Sequence, residues 1–202
     1  HKAKHLVLID SISPRRAPTA GRYDEAEQMS SAEWKVFKDR ITTVAKIGTE
    51  EYGLTVGIHA HAAGFIDFEP EIYRLLEEVD ESYLKICFDT GHHSYAGFDP
   101  VSFIRRCIQR ISYMHFKDID PIVKEDVVSK RTDFYSACGQ GIFCNLGDGD
   151  VDFKAVRKLL RENDFDGWCT VEQDCDPEGK TSPFEDAKIN RKYLESIGFK
   201  NI

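Results

Sequence analysis

The fold of this chain is decided by residues 83–118, which read YLKICFDTGHHSYAGFDPVSFIRRCIQRISYMHFKD. Apolar runs predict strands over 83–89 and 111–119. Between them, Asp99 is a suitable cap for a helix over 99–110. Neither strand alternates polar and apolar residues, which is typical of parallel strands in a sheet whose faces are covered.

The same alternation of strand and helix runs through the rest of the chain. Further strands are predicted over 5–12, 54–61 and 168–174, and further helices over 30–53, 69–80, 151–167 and 182–198. Only the fourth strand lacks a helix directly after it, and we expect a long functional or mobile loop over 118–150. Residues 1–202 are therefore expected to form a single α/β domain.

The composition excludes several classes of protein. The 202 residues are 41% hydrophobic and carry a formal net charge of −8, which argues against binding to nucleic acid or to an anionic membrane surface. No apolar run approaches the ~20 residues of a membrane span. The six cysteines form no CxxC pair, so buried free thiols in a reducing cytoplasm are the favoured interpretation over a disulfide framework.

Polar residues gather at the C-terminal ends of four of the five predicted strands. They are His59 and His61; Asp89, His92 and His93; His115, Lys117 and Asp118; and Glu172, Gln173 and Asp174. In parallel α/β folds these ends share one face, where sites are built. An open sheet would spread them along an edge, whereas a (β/α)8 TIM barrel would gather them around its mouth. We therefore predict a TIM barrel, and because such barrels need at least ~200 residues and typically ~250, we expect its first three strands to lie outside this chain.

Three of these strand ends suit a divalent metal ion. Asp89, His115 and Glu172 would each supply one ligand, and His59 or His61 would supply a fourth. Two carboxylates with imidazoles favour Mn²⁺, Co²⁺, Zn²⁺ or Fe²⁺ over Ca²⁺ or Mg²⁺. The alternative for any single position is structural: a hydrogen-bonded histidine, or an aspartate that caps a turn. Glu172 follows an apolar strand, so we expect a buried carboxylate that needs a partner.

A family resemblance adds to this pattern. The stretches CFDTGHHSYAG, YMHFKD, NLGDGDVDF and WCTVEQD together resemble the xylose-isomerase-like TIM barrels, which include sugar isomerases and epimerases. With GIHAHAAG, they are most similar to the inosose (2-keto-myo-inositol) dehydratase branch. The resemblance covers about residues 4–198. It implies a cytoplasmic metal-dependent lyase of inositol catabolism that acts on a sugar or cyclitol. Mn²⁺ or Co²⁺ would be favoured over Zn²⁺, Fe²⁺ or Mg²⁺, and a homo-oligomer is one option.

The resemblance also implies roles for individual residues. Asp89, His115 and Glu172 fall on metal-ligand positions, and His92 falls on a substrate-contacting position. Many epimerases have a glutamate where this chain has His59, which argues against epimerisation by two carboxylates. In this scheme Glu172 acts as the base and Lys117 contacts a substrate oxygen. The acid is one of three histidines: His59, His61 or His92. A ketose 3-epimerase or isomerase, and a non-catalytic sugar-binding barrel, stay open as alternatives.

Overall fold

Five strands form one parallel sheet in the computed structural model, which describes residues 2–174 and 182–199. In sheet order they are β1 (His5–Ile9), β2 (Thr55–His59), β3 (Lys85–Asp89), β4 (Ile111–Phe116) and β7 (Trp168–Val171). Strands adjacent in this order are all parallel. The order never reverses along the chain, as it would in a doubly wound sheet. The predicted fold class is confirmed as five consecutive units of an α/β barrel.

The five predicted helices are present with shorter bounds, and the structure adds three that the sequence does not predict. In chain order the helices are α1 (Ser31–Glu50), α2 (Glu69–Glu78), α3 (Thr90–Tyr95), α4 (Pro100–Cys107), α5 (Pro121–Ser129), α6 (Phe134–Gly139), α7 (Phe153–Glu162) and α8 (Pro183–Ser196). The predicted ones are α1, α2, α4, α7 and α8, and the additional ones are α3, α5 and α6. Ser30 and Glu33 form a capping box at α1, and the predicted caps Asp99 and Asp152 accept backbone hydrogen bonds at α4 and α7. No helix in the described ranges is long and apolar enough to cross a membrane.

The main core lies where these helices pack against the sheet. Fully buried apolar side chains of the central strands, such as Ile58 and Met114, meet those of the helices, such as Leu75, Phe103 and Val156. Burying large apolar side chains is the dominant stabilising contribution here. The core therefore fixes the central strands, and with them the side chains at the strand ends.

The expectation of one long loop over 118–150 is wrong. The segment contains α5, α6 and two short antiparallel strands, β5 (Asp118–Ile119) and β6 (Phe143–Cys144). Its apolar side chains, including Val127 and Phe134, build a second core cluster. β5, β6 and α6 are too short to show a clear periodicity, whereas α5 begins with Asp120 and Pro121, the same start signal as Asp99 and Pro100 at α4, which the prediction of a loop overlooked.

The first and last strands of the sheet are less buried than the central ones. β1 and β7 are the two edges of the sheet in the described residues, and each pairs on one side only. Ile9 is 55% exposed and Trp168 is 66% exposed. An apolar strand sequence indicates that the strand is more stable when buried. Whether the strand is buried depends on the neighbouring element that covers it.

Candidate active site and metal centre

Four side chains from four neighbouring strand ends meet at one point. His59 is the last residue of β2, and Asp89 is the last residue of β3. His115 lies on β4 and pairs in register with Asp89, and Glu172 directly follows β7. Each offers one ligand atom, and these atoms all lie within 4.8 Å of one another. Three of the four residues are the ligands that the sequence proposes, and His59 is one of the two candidates for the fourth; His61 lies outside this group. The four side chains are far apart in the sequence and close in space because parallel strands bring their C-terminal ends to one face.

The contacts inside this cluster are short. Nδ1 of His115 lies 3.0 Å from Oε2 of Glu172 and 3.6 Å from Oδ2 of Asp89. Nε2 of His59 lies 3.2 Å from Nδ1 of His115 and 4.0 Å from Oδ2 of Asp89. Two carboxylates and two imidazoles at these separations form the mixed oxygen and nitrogen donor set of a transition-metal site.

The carboxylate of Asp89 has one oxygen that is free to bind a metal ion. Its Oδ1 accepts a hydrogen bond of 2.8 Å from the backbone N–H of His92 at the start of α3. Its Oδ2 is fully buried and has no hydrogen-bond partner among the described residues. A buried carboxylate oxygen without a partner carries a desolvation cost that a cation would offset. The residues present therefore fit a divalent ion.

Two of the histidines have their tautomer set by a backbone carbonyl. Nδ1 of His59 lies 2.8 Å from the carbonyl oxygen of Ala60, and Nδ1 of His61 lies 2.8 Å from that of Ala62. Because a carbonyl only accepts, both Nδ1 atoms carry the proton and donate it. Burial lowers the pKa of His59 to about 4 and also lowers that of His61. Both rings are thus neutral at pH 7, with an unprotonated Nε2.

Lys117 places its ammonium at the centre of the site. The residue is 1% exposed, and its Nζ lies 2.8 Å from Nε2 of His92, 3.1 Å from Oε2 of Glu172 and 3.0 Å from Oδ2 of Asp174. Burial alone would lower the pKa of Lys117, but the neighbouring carboxylates, Asp89 first, outweigh it and raise the pKa. The side chain therefore stays a cation at neutral pH.

His61 and His92 lie beside the metal cluster and pack against two phenylalanines. Their ring centroids are 3.9 Å apart, Phe143 packs 5.2 Å from the His92 ring, and Phe134 packs 5.5 Å from the His61 ring. Burial first, and then the charge of Lys117, lowers the pKa of His92 well below its usual value. The structure thus brings His61, His92 and Lys117, the proposed substrate-binding residues, to the edge of the metal cluster.

Two sequence-based interpretations need comment. His93 lies in α3 rather than in a loop and does not face the cluster, because its Nε2 lies 3.2 Å from Oε1 of Glu69. The expectation that Glu172 is buried is wrong, because its side chain is 40% exposed. It follows an edge strand of the described sheet, so nothing in the described ranges covers its outer side.

Asp174, Thr90 and Gly91 are parts of the site to which the sequence assigned no role. Asp174 binds the ammonium of Lys117, and its place at a polar strand end was the only signal for it. Thr90 Oγ1 accepts from the backbone N–H of Lys117 at 3.0 Å and donates to its carbonyl at 2.7 Å. A Cβ on Gly91 would lie 2.5 Å from Cγ of Lys117, so only glycine leaves room for the lysine stem.

Comparison with known proteins agrees with the fold. The family described as xylose isomerase-like TIM barrel matches residues 3–197. Curated relatives include inosose dehydratases from Geobacillus kaustophilus (strain HTA426), 34% identical over 184 residues and 91% of this chain, and from Clostridium beijerinckii (strain ATCC 51743 / NCIMB 8052), 35% identical over 168 residues and 83% of this chain. The chain spans 58% and 56% of the length of these two relatives.

Solved structures show the same fold at lower identity. The IolI protein with a binding zinc atom superposes with a TM-score of 0.67 at 16% identity, over 98% of this chain and 65% of that one. The probable 3-DHS dehydratase AsbF from Bacillus anthracis superposes with a TM-score of 0.65 at 22% identity, over 86% of this chain and 59% of that one.

Proposed function

Because this chain belongs to the xylose isomerase-like TIM barrel family, we propose that it forms part of a metal-dependent lyase that dehydrates a keto-cyclitol such as 2-keto-myo-inositol. The observation that carries the proposal is the cluster of His59, Asp89, His115 and Glu172 with the Lys117 ammonium beside it. The curated relatives named above, which are inosose dehydratases, support this substrate class.

The four residues of the cluster would hold one divalent ion. Mn²⁺ and Co²⁺ suit the two carboxylates and two imidazoles best, and Zn²⁺ or Fe²⁺ would also fit. When bound, the ion would act as a Lewis acid towards the substrate's ketone oxygen. An ion that binds Nδ1 of His115 would displace a proton, because bonds to Asp89 and Glu172 outweigh the effect of burial and raise the pKa of His115 to about 12.

Dehydration next to a ketone needs a base for the α-proton and an acid for the departing hydroxyl. Glu172 is suited to be the base, since its hydrogen bond from His115 lowers its pKa and keeps it ionised, and its side chain is partly open. Among the candidate acids, His59 and His61 hold their single proton against backbone carbonyls. His92 differs, because its Nε2 contacts the Lys117 ammonium at 2.8 Å.

The pair of Lys117 and His92 is therefore the best proton source on the other side of the site. The ammonium, held by Nε2 of His92, would donate a proton to the departing hydroxyl. The proton that Glu172 takes from the substrate would return to Nζ, 3.1 Å from Oε2, while Phe143 covers Lys117 and His92. A position 4.9 Å above the Phe143 ring keeps bulk water from the ammonium and strengthens its interaction with developing negative charge.

Incubation of the full-length protein with Mn²⁺ or Co²⁺ and 2-keto-myo-inositol tests this proposal. We expect the ultraviolet absorbance of a diketone, and loss of that signal in Glu172→Gln. An epimeric ketose formed without loss of water would instead support the epimerase alternative. Unchanged sugar affinity in Glu172→Gln, with no turnover by either protein, would support a non-catalytic binding role.

We further propose that the reaction takes place in the cytoplasm, with no nucleic-acid or membrane partner. The five cysteines that the structure describes are all unpaired, as expected in a reducing compartment; Cys175 lies outside the described residues. The net charge of −8 disfavours polyanionic partners.

A further inference from the structure

A second group of potential ligands lies beside the first. His61, His92 and Asp174 each offer one atom, and these atoms all lie within 4.8 Å of one another. Nδ1 of His61 lies 2.8 Å from the carbonyl oxygen of Ala62, which leaves Nε2 as the ring nitrogen that is free to act as a ligand. Two imidazoles and a carboxylate are a donor set that binds divalent transition metals. By its side chains alone, this group would be a metal site.

The Lys117 ammonium already lies at this second group. Its Nζ is 2.8 Å from Nε2 of His92 and 3.0 Å from Oδ2 of Asp174. It also lies 3.1 Å from Oε2 of Glu172, an atom of the first cluster. A cation shared between two adjacent ligand groups corresponds to the second ion of a two-metal site, where ions lie about 3.5–4 Å apart.

The charges of the site balance with one divalent ion and one ammonium. Three carboxylates, Asp89, Glu172 and Asp174, contact or lie next to Nζ and together carry three negative charges. Lys117 offsets one of them, and a single divalent ion in the first cluster offsets the other two. Removing the ammonium would leave one negative charge uncompensated beside the fully buried carboxylate of Asp89, 3.6 Å from Nζ, which is unfavourable.

The chain holds this ammonium in a fixed position. Thr90 bonds both backbone groups of Lys117, Gly91 leaves room for its stem, and the Phe143 ring covers its head at 4.9 Å. A lysine that only screened charge at a surface would not need three such constraints. A fixed cation at a ligand group takes the place that a mobile metal ion would otherwise occupy.

We propose that His61, His92 and Asp174 form a second cation site that the Lys117 ammonium occupies, so that the protein binds one divalent ion where its ligands would otherwise bind two. The inference rests on the proposed function, since it takes the first cluster to hold an ion. In this proposal Lys117 limits the site to one metal ion and also contacts the substrate.

Metal counting on the full chain tests the inference. The protein and the isosteric variant Lys117→Met would be dialysed against Co²⁺, and bound cobalt measured by elemental analysis. We expect one ion per wild-type chain and two per Lys117→Met chain. Asp174→Asn in the Lys117→Met background should return the count to one. Lys130→Met is the matched control: Lys130 is exposed and its ammonium pairs with Asp126 alone among residues 2–174 and 182–199, so its removal should leave one ion.

A second readout shows whether the two ions are neighbours. With Mn²⁺ in place of Co²⁺, Lys117→Met should show the electron paramagnetic resonance spectrum of a coupled pair, and wild type that of a single ion. Should Lys117→Met fail to fold by circular dichroism, Lys117→Gln replaces it. One ion in both proteins would overturn this inference alone, whereas a wild type that binds none would contradict the proposed function as well.

Discussion

Substituting Gly91 by alanine should disable the site without touching any proposed ligand. The new Cβ would lie 2.5 Å from Cγ and 2.8 Å from Cβ of Lys117. Carbon atoms in contact stay about 3.5–4.0 Å apart, so the lysine stem has to move by about 1 Å. The stem cannot swing into solvent, because Lys117 is buried and Thr90 holds its backbone.

The displacement sets the magnitude of the effect. A shift of about 1 Å breaks the contact of Nζ with His92 at 2.8 Å or with Asp174 at 3.0 Å, and misplacement of this size costs roughly 10²-fold in rate. We expect kcat/KM for dehydration of 2-keto-myo-inositol to fall about 100-fold, which corresponds to about 2.7 kcal/mol of transition-state stabilisation. Overpacking should also lower the free energy of unfolding by about 1–3 kcal/mol.

Steady-state kinetics on the full-length protein, together with urea unfolding, measures both effects. Gly139→Ala is the matched control, because a Cβ there meets no atom within 4 Å and the residue ends α6 without a positive φ. It should leave both quantities near wild type. A folded Gly91→Ala protein with kcat/KM within about threefold of wild type would refute the reasoning that the Lys117 stem is tightly held.

Three further substitutions test separate parts of the structure. Glu172→Gln should weaken Co²⁺ binding at least about tenfold by isothermal titration calorimetry, because the amide removes a charge from the ligand set; unchanged affinity would exclude Glu172 as a ligand. Burial raises the pKa of Asp67 to about 8, so this carboxyl is protonated in the folded protein at neutral pH. Its contribution to the free energy of unfolding is complete below about pH 4 and is lost as the pH rises through 8. Asp67→Asn should therefore flatten the fall in unfolding free energy between pH 5 and 8 in urea titrations, and an unchanged slope would contradict it. Asp118→Asn should lower the free energy of unfolding by at least about 2 kcal/mol in the same assay, because both oxygens of the buried carboxylate accept backbone N–H groups of the glycine-rich stretch 145–151 and an amide keeps only one acceptor oxygen; a loss below about 0.5 kcal/mol would show that these bonds contribute little.

The sequence by itself determined the strands, the helices that follow them and the residues at the strand ends. These features depend on local periodicity and caps, such as Asp99 before α4, and on the side chains that directly follow each apolar run. Because parallel strands end on one face, the sequence also sufficed to predict that His59, Asp89, His115 and Glu172 meet.

Only the tertiary structure decided which atoms face one another and which strands are covered. Lys117 became the centre of the site because Thr90 and Gly91, from the neighbouring strand end, position its backbone and leave space for its stem. In the same way, Arg16 lies in a loop that looks solvated in sequence but is buried in an ion pair with Glu71, 55 residues away. Periodicity is a property of a few neighbouring residues, whereas burial and charge pairing depend on what packs from elsewhere in the chain, and only the folded molecule contains that information.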